Sequence, residues 1–180
     1  LLGANNYSNG GRGAYIKNLA TGAVTVLDSA SDGTLGNDGY SQSSTFIPNT
    51  NKVVFRGYSS NLVAGDTNNT YDIFVKDLET GATSAVTSTA DGTMSNGASG
   101  GFKLVANGTK VLFTSSASNL VAGDTNNTLD IFVKDLATGA VTAVSSAADG
   151  TMGNGVSGAS YLANQSYENN LMLSPDGTKV

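Results

Sequence analysis

Cysteine, histidine and tryptophan are all absent from these 180 residues. Without cysteine there is no disulfide, no thiolate nucleophile and no zinc-thiolate centre. Without histidine the usual general base and the commonest transition-metal ligand are gone as well. Glutamate is reduced to Glu79 and Glu168, and arginine to Arg12 and Arg56. A glycosidase needs two placed carboxylates, whereas the aspartates here recur in repeated loops. Two arginines cannot build the arginine cluster of a sialidase, and a serine nucleophile would have no histidine base. No glycine-rich phosphate cradle leads from a strand into a helix. The chain therefore reads as non-catalytic.

Nine basic residues face fourteen acidic ones, for a net charge of -5. Such a chain repels a phosphate backbone, so nucleic acid is excluded as a partner. No apolar run is long enough to span a bilayer, and no stretch has the order of a signal peptide. The sequence opens at Leu1 without a methionine and stops at Val180 inside a strand-like run. It is read as a fragment of a longer protein.

What is present is a repeat. "GDTNNTYDIFVKDLETGA" from Gly65 returns as "GDTNNTLDIFVKDLATGA" from Gly123. Asp66 to Asp124, Lys76 to Lys134 and Lys52 to Lys110 are each a step of 58, and Lys17 to Lys76 is a step of 59. Within one period four short runs stand out: "GFKLVA" from Gly101, "KVLFTS" from Lys110, "DIFVKDL" from Asp130 and "AVTAVSS" from Ala140. Each is rich in β-formers and bounded by turn residues, and none sustains a helical period over three turns. An all-β chain is expected. Four antiparallel strands per repeat make a β-propeller blade, with a solenoid of sheets as the alternative.

"LSPDGTKV" at 173–180, with the weaker versions "VANGTKVLF" from Val105 and "IPNTNKVVF" from Ile47, resembles the signature of TolB-like propeller repeats. "SNLVAGDTNNTYDIFVKDLETG" from Ser60 is similar to blade repeats of exported bacterial proteins of that group. The resemblance covers nearly the whole chain and implies a secreted, cell-surface or periplasmic location. It also implies a role as a binding platform, an adhesive module or an accessory domain. The expected division is a partial blade over 1–43, blades over 44–100 and 101–158, and a partial blade over 159–180. About three blades are too few for a ring. Either a longer chain supplies the rest, or two copies join as six blades through their terminal strands, as a homodimer.

In such a blade, the turns "PNTNK", "ANGTK", "ETGA" and "ATGA" lie at one end, while the "GDTNNT" loops and the linkers "DGTMSNG" and "DGTMGNG" lie at the other. The second end gathers the polar oxygens. Asp66, Asn68, Thr70 and Asp72 alternate as the first half of a calcium loop does, and Asp124, Asn126, Thr128 and Asp130 repeat them. Asp77 falls at the twelfth position, but five residues along a strand carry it out of reach. Asp and Asn side chains that bond their own backbone to shape the loop are the competing reading. Asp77 and Asp135 are expected to pair with turn amides or a lysine; Asn18 replaces them in the first repeat. An insertion near "YLANQSYENN" brings Tyr161, Tyr167 and Glu168 to the polar end as candidate contacts for a protein or glycan partner.

Overall fold

The computed structural model describes residues 13–39 and 41–157. Among them the chain is all-β, with a single 3-10 turn at Ala106–Gly108 and no α-helix. It divides into two compact units, Leu1–Ala85 and Val86–Val180.

The first unit opens with a hairpin of β1 (Tyr15–Lys17) and β2 (Val24–Val26). A four-stranded antiparallel meander follows: β3 (Ser41–Phe46), β4 (Lys52–Gly57), β5 (Asp72–Asp77) and β6 (Thr83–Ala85), hydrogen-bonded in that order. The second unit holds the matching meander of β7 (Ser99–Val105), β8 (Lys110–Ser115), β9 (Asp130–Asp135) and β10 (Val141–Ala143). All four strands expected of a repeat are therefore present, in the expected places.

The central strands are buried on both faces, which explains their unbroken apolar runs. Val53, Val54 and Phe55 in β4, and Val111, Leu112 and Phe113 in β8, are at most 1% exposed. Phe55 packs on Phe74 with ring centroids 5.5 Å apart, and Phe113 on Phe132 at 5.7 Å. Each aromatic pair ties the second strand of its meander to the third.

Short turns close one end of each meander. Asp77 Oδ1 accepts hydrogen bonds from the amides of Glu79 and Thr80, and Asp135 Oδ1 from those of Ala137 and Thr138. Lys52 adds an ion pair to Asp77 at 3.6 Å. Asn18 Oδ1 accepts from Ala20 and Thr21 in the same way, so the first repeat keeps the turn without the charge.

The linkers belong to the sheet that follows them. In the first unit Lys76, in the middle of an apolar strand, is 2% exposed and sends its ammonium into the linker. Nζ donates to Ser29 O and Ser29 Oγ, both at 2.9 Å, to Ala30 O at 3.3 Å and to Thr83 Oγ1 at 3.0 Å. In the second unit Lys134 Nζ donates to Ser88 O at 2.7 Å, Thr89 O at 3.1 Å and Ser88 Oγ at 3.3 Å. Burial pulls both lysines below the usual ammonium range, and the nearby charges of Asp32 and Asp91 pull the other way. The structural period is thus a linker plus its following meander. That is why the two units meet at 85/86, and why β3 and β7 run across the expected blade boundaries at 43/44 and 100/101.

Candidate functional site

Opposite the short turns, each meander carries its long loop and its linker together. In the first unit Asn37 and Ser60 clasp each other: the Ser60 amide donates to Asn37 Oδ1 at 3.0 Å, and Asn37 Nδ2 to Ser60 Oγ at 3.0 Å. Asn61 completes the clasp, accepting from the Asn37 amide and donating to Leu35 O. Asn96, Ser118 and Asn119 repeat it in the second unit. There an open cleft of about 620 Å³ lies between residues 123–126 and 149–154, with Asn126 donating across it to Gly153 O at 2.6 Å. The end expected to collect polar oxygens does so within each unit.

The two acidic loops are near copies. Asn68 Oδ1 accepts from the Thr70 amide at 3.0 Å and Asn68 Nδ2 donates to Asp72 Oδ2 at 2.8 Å. Asn126, Thr128 and Asp130 make the same pair of bonds at 2.9 and 2.8 Å. Asn69 and Asn127 take left-handed backbone, with φ of 51° and 50°. Each asparagine oxygen thus serves a loop amide, as a hydrogen-bonded turn requires. Asp130 Oδ1 also accepts from Ser145 Oγ at 2.7 Å.

Asp66 is the exception in this loop. It is 7% exposed, and among the described residues its Oδ1 is buried without a hydrogen-bond partner. Burial raises its carboxyl to about 6, with the charge of Asp72 adding to the shift and the Asn68 amide opposing it. Asp124 is raised for the same reasons in the same order. Of the eight oxygen-bearing residues named for calcium, Asp66 and Asp72 form one carboxylate pair and Asp124 and Asp130 the other. Asn68 and Asn126 present an amide NH2 to their aspartate. Among the described residues no three His, Cys, Asp or Glu side chains gather as a metal-binding group.

One cluster at this end is not repeated. Arg56, 6% exposed at the end of β4, lies with Cζ 3.7 Å from the centroid of the Tyr71 ring. Tyr58 meets Tyr71 edge to face at 5.1 Å, and Arg56 Nη1 donates to Gln42 Oε1 at 2.9 Å. Both tyrosines remain partly exposed. At the matching places in the second meander stand Gly100, Thr114, Ser116 and Leu129. No protein-family model matches the chain, and no curated protein does. Reading the repeats for what they share passes over this cluster. Subtracting one from the other exposes it: four side chains that meet in the first meander are all replaced in the second, where the differences between the two concentrate in β3 and β7 and at the loop end.

The contact residues named from the sequence, Tyr161, Tyr167 and Glu168, lie outside the described residues. So does the whole of the final expected partial blade, 159–180.

Proposed function

We propose that the chain is a non-catalytic β-propeller module, of the TolB-like kind its turn motifs resemble, and that it binds protein or glycan through the loop end of its blades. Four-stranded up-and-down meanders repeated at a fixed period support the propeller reading. The observation that carries the binding reading is the Tyr58, Tyr71, Arg56 and Gln42 cluster. The second meander keeps the register of its two central strands without any of the four and lacks only the edge rung that pairs Gln42 with Arg56, so the central scaffold does not need them. Half-exposed tyrosines offer an aromatic face for stacking, and the buried Arg56 guanidinium, held by Gln42, fixes the Tyr71 ring in place. An exported or surface location in a bacterium fits a chain free of cysteine that is built for contact.

Calcium belongs to this reading as a weak stabiliser of the two acidic loops. Asp66 and Asp72 are desolvated close enough for one charge to oppose the other, and a divalent cation relieves that repulsion. With few carboxylates the affinity falls in the weak range of extracellular modules, about 10⁻⁴–10⁻³ M.

The test is a screen of the chain against an array of neutral and acidic oligosaccharides and against a peptide display library. Binders should lose at least about tenfold in affinity to the double variant Arg56→Thr, Tyr71→Leu, which copies the second meander. Failure of both screens, or binders indifferent to that variant, would overturn the proposal.

A further inference from the structure

The lysine-linker contact occurs twice among the described residues, but its receptor occurs three times. Loop 146–151 has the backbone of loops 29–34 and 88–93. Ala147 N donates to Thr151 O at 2.8 Å, as Ala30 does to Thr34 and Thr89 to Thr93. Gly150 N donates to Ala147 O at 2.9 Å, and Gly150 has φ of 86°, against 86° for Gly33 and 90° for Gly92. A β-bridge joins Ser146 to Met152 as it joins Ser29 to Leu35 and Ser88 to Met94. Ser146 Oγ is held by Ala143 O just as Ser29 Oγ is held by Val26 O, both at 3.1 Å. Asp149 accepts from the Thr151 amide as Asp32 and Asp91 do from theirs. The acceptors that hold Lys76 and Lys134 are therefore preformed a third time.

The surroundings differ in one respect. Leu27 and Val86, which lead into the first two receptors, are 1% exposed, whereas Val144 at the third is partly exposed. Ser29 and Ser88 are buried, while Ser146 is not. Among the described residues no ammonium reaches loop 146–151.

The complementary element is the β1–β2 hairpin. Lys17 holds the register of Lys76 and Lys134, one step of 59 earlier, yet it is exposed. Tyr15 is 46% exposed, although its counterparts Phe74 and Phe132 are fully buried, and Val24 is 47% exposed where Thr83 is buried. The hairpin thus displays a lysine and an aromatic ring at the places where β5 and β9 bury theirs. Among the described residues the receptor lacks a lysine, and the lysine lacks a receptor.

We infer that loop 146–151 receives the Lys17 ammonium of a second copy of this chain, with the Tyr15 and Val24 side of that hairpin covering Val144. The contact is head to tail, joining different surfaces of the two copies, so it leads either to a closed dimer or to a chain of copies. It uses no residue of the Arg56 and Tyr71 cluster and stands or falls separately from the binding reading.

The test is sedimentation equilibrium of the 180-residue chain across a concentration series, with Lys17→Met and Ser146→Lys. Lys17 is exposed, so Lys17→Met keeps the fold, which circular dichroism checks; Ser146→Lys places a cation in the receptor itself. The expected result is a wild type that associates, with each variant weakened at least tenfold. A one-to-one mixture should recover a heterodimer, because each variant retains the surface that the other has lost. A wild type monomeric at every concentration would overturn the inference, whether loop 146–151 is then filled by a further repeat or by the same molecule. Undiminished association of Lys17→Met would overturn it equally.

Discussion

The ammonium of Lys76 and the carbonyl oxygen of Ser29 are 47 residues apart in sequence and 2.9 Å apart in the fold. Every hydrogen-bond partner named for that ammonium is an uncharged oxygen, so backbone and hydroxyl groups replace the water it loses on burial. Lys76→Met keeps the stem's packing but strands those acceptors. The expected loss is about 1–3 kcal/mol, because the penalty for orphaned acceptors is partly offset by no longer burying a charge. Urea unfolding checks it, with Lys17→Met as a control expected to change stability by less than about 0.5 kcal/mol.

Asp66 ties stability to pH with a definite sign. Its folded value of about 6 lies above the ordinary 3.8, so between those values the unfolded chain ionises while the fold holds its proton. Stability from this residue therefore falls as pH rises from about 4 to about 6 and is level above that. Asp66→Asn removes the slope and is more stable than wild type at pH 7, by on the order of 2–3 kcal/mol. Unfolding midpoints of the two proteins at pH 4, 5, 6 and 7 should diverge in that order. Parallel curves would show the carboxylate to be solvated.

Calcium should act on the same residue from the other side. At pH 7, calcium at about ten times a millimolar dissociation constant adds roughly 1.4 kcal/mol per loop to the folded state, raising the wild-type midpoint by a few degrees. Asp66→Asn combined with Asp124→Asn should abolish the effect. A midpoint unmoved between calcium and chelator would leave these loops as hydrogen-bonded turns alone.

The short-turn aspartates make a prediction that the first repeat has already tried. Asp135→Ala loses two amide hydrogen bonds and should lower the melting point by roughly 2–5 °C. Asp135→Asn should stay near wild type, since Asn18 holds the equivalent turn through the same oxygen. Paired melting curves decide it, and a large loss for the asparagine variant would assign the stabilisation to charge.

Gly97 and Gly155 are equivalent in sequence and differ in surroundings. A Cβ on Gly97 would lie 2.8 Å from the backbone of Ser116 and Ala117, whereas on Gly155 it meets nothing within 4 Å among the described residues. Gly97→Ala should destabilise the second unit by about 2 kcal/mol or more, and Gly155→Ala should cost little. Proteolysis of the two variants under mild denaturant would separate them.

Much of this was legible in the sequence. The four strands of each period announce themselves through β-branched and aromatic runs between turn residues, and the place of Asp77 follows from its position beside a Thr-Gly turn. The lysine receptor was not legible. A lone lysine in "DIFVKDL" looks like a surface residue on a half-buried strand, and only the packing of the preceding linker shows that this strand is covered where Lys76 points. Arg56 and Tyr71 escaped for another reason: they are fifteen residues apart and meet only because β4 and β5 pair Arg56 with Ile73. The Asn68 bonds are one of the two readings that the loop's residues support, since the residues that bind a cation are also those that build Asx turns.

The lysine contact also bears on how such an array can grow. Receptor and lysine are separated by 46 or 47 residues, less than the period of 58, so both halves travel within a single repeat. Copying one such stretch of gene reproduces a matched linker and strand at once, and no new interface has to be invented when the array lengthens. Drift is then constrained unevenly. The loop end can diverge from copy to copy, as Tyr71 and Leu129 have, while the linker and its lysine must be inherited together.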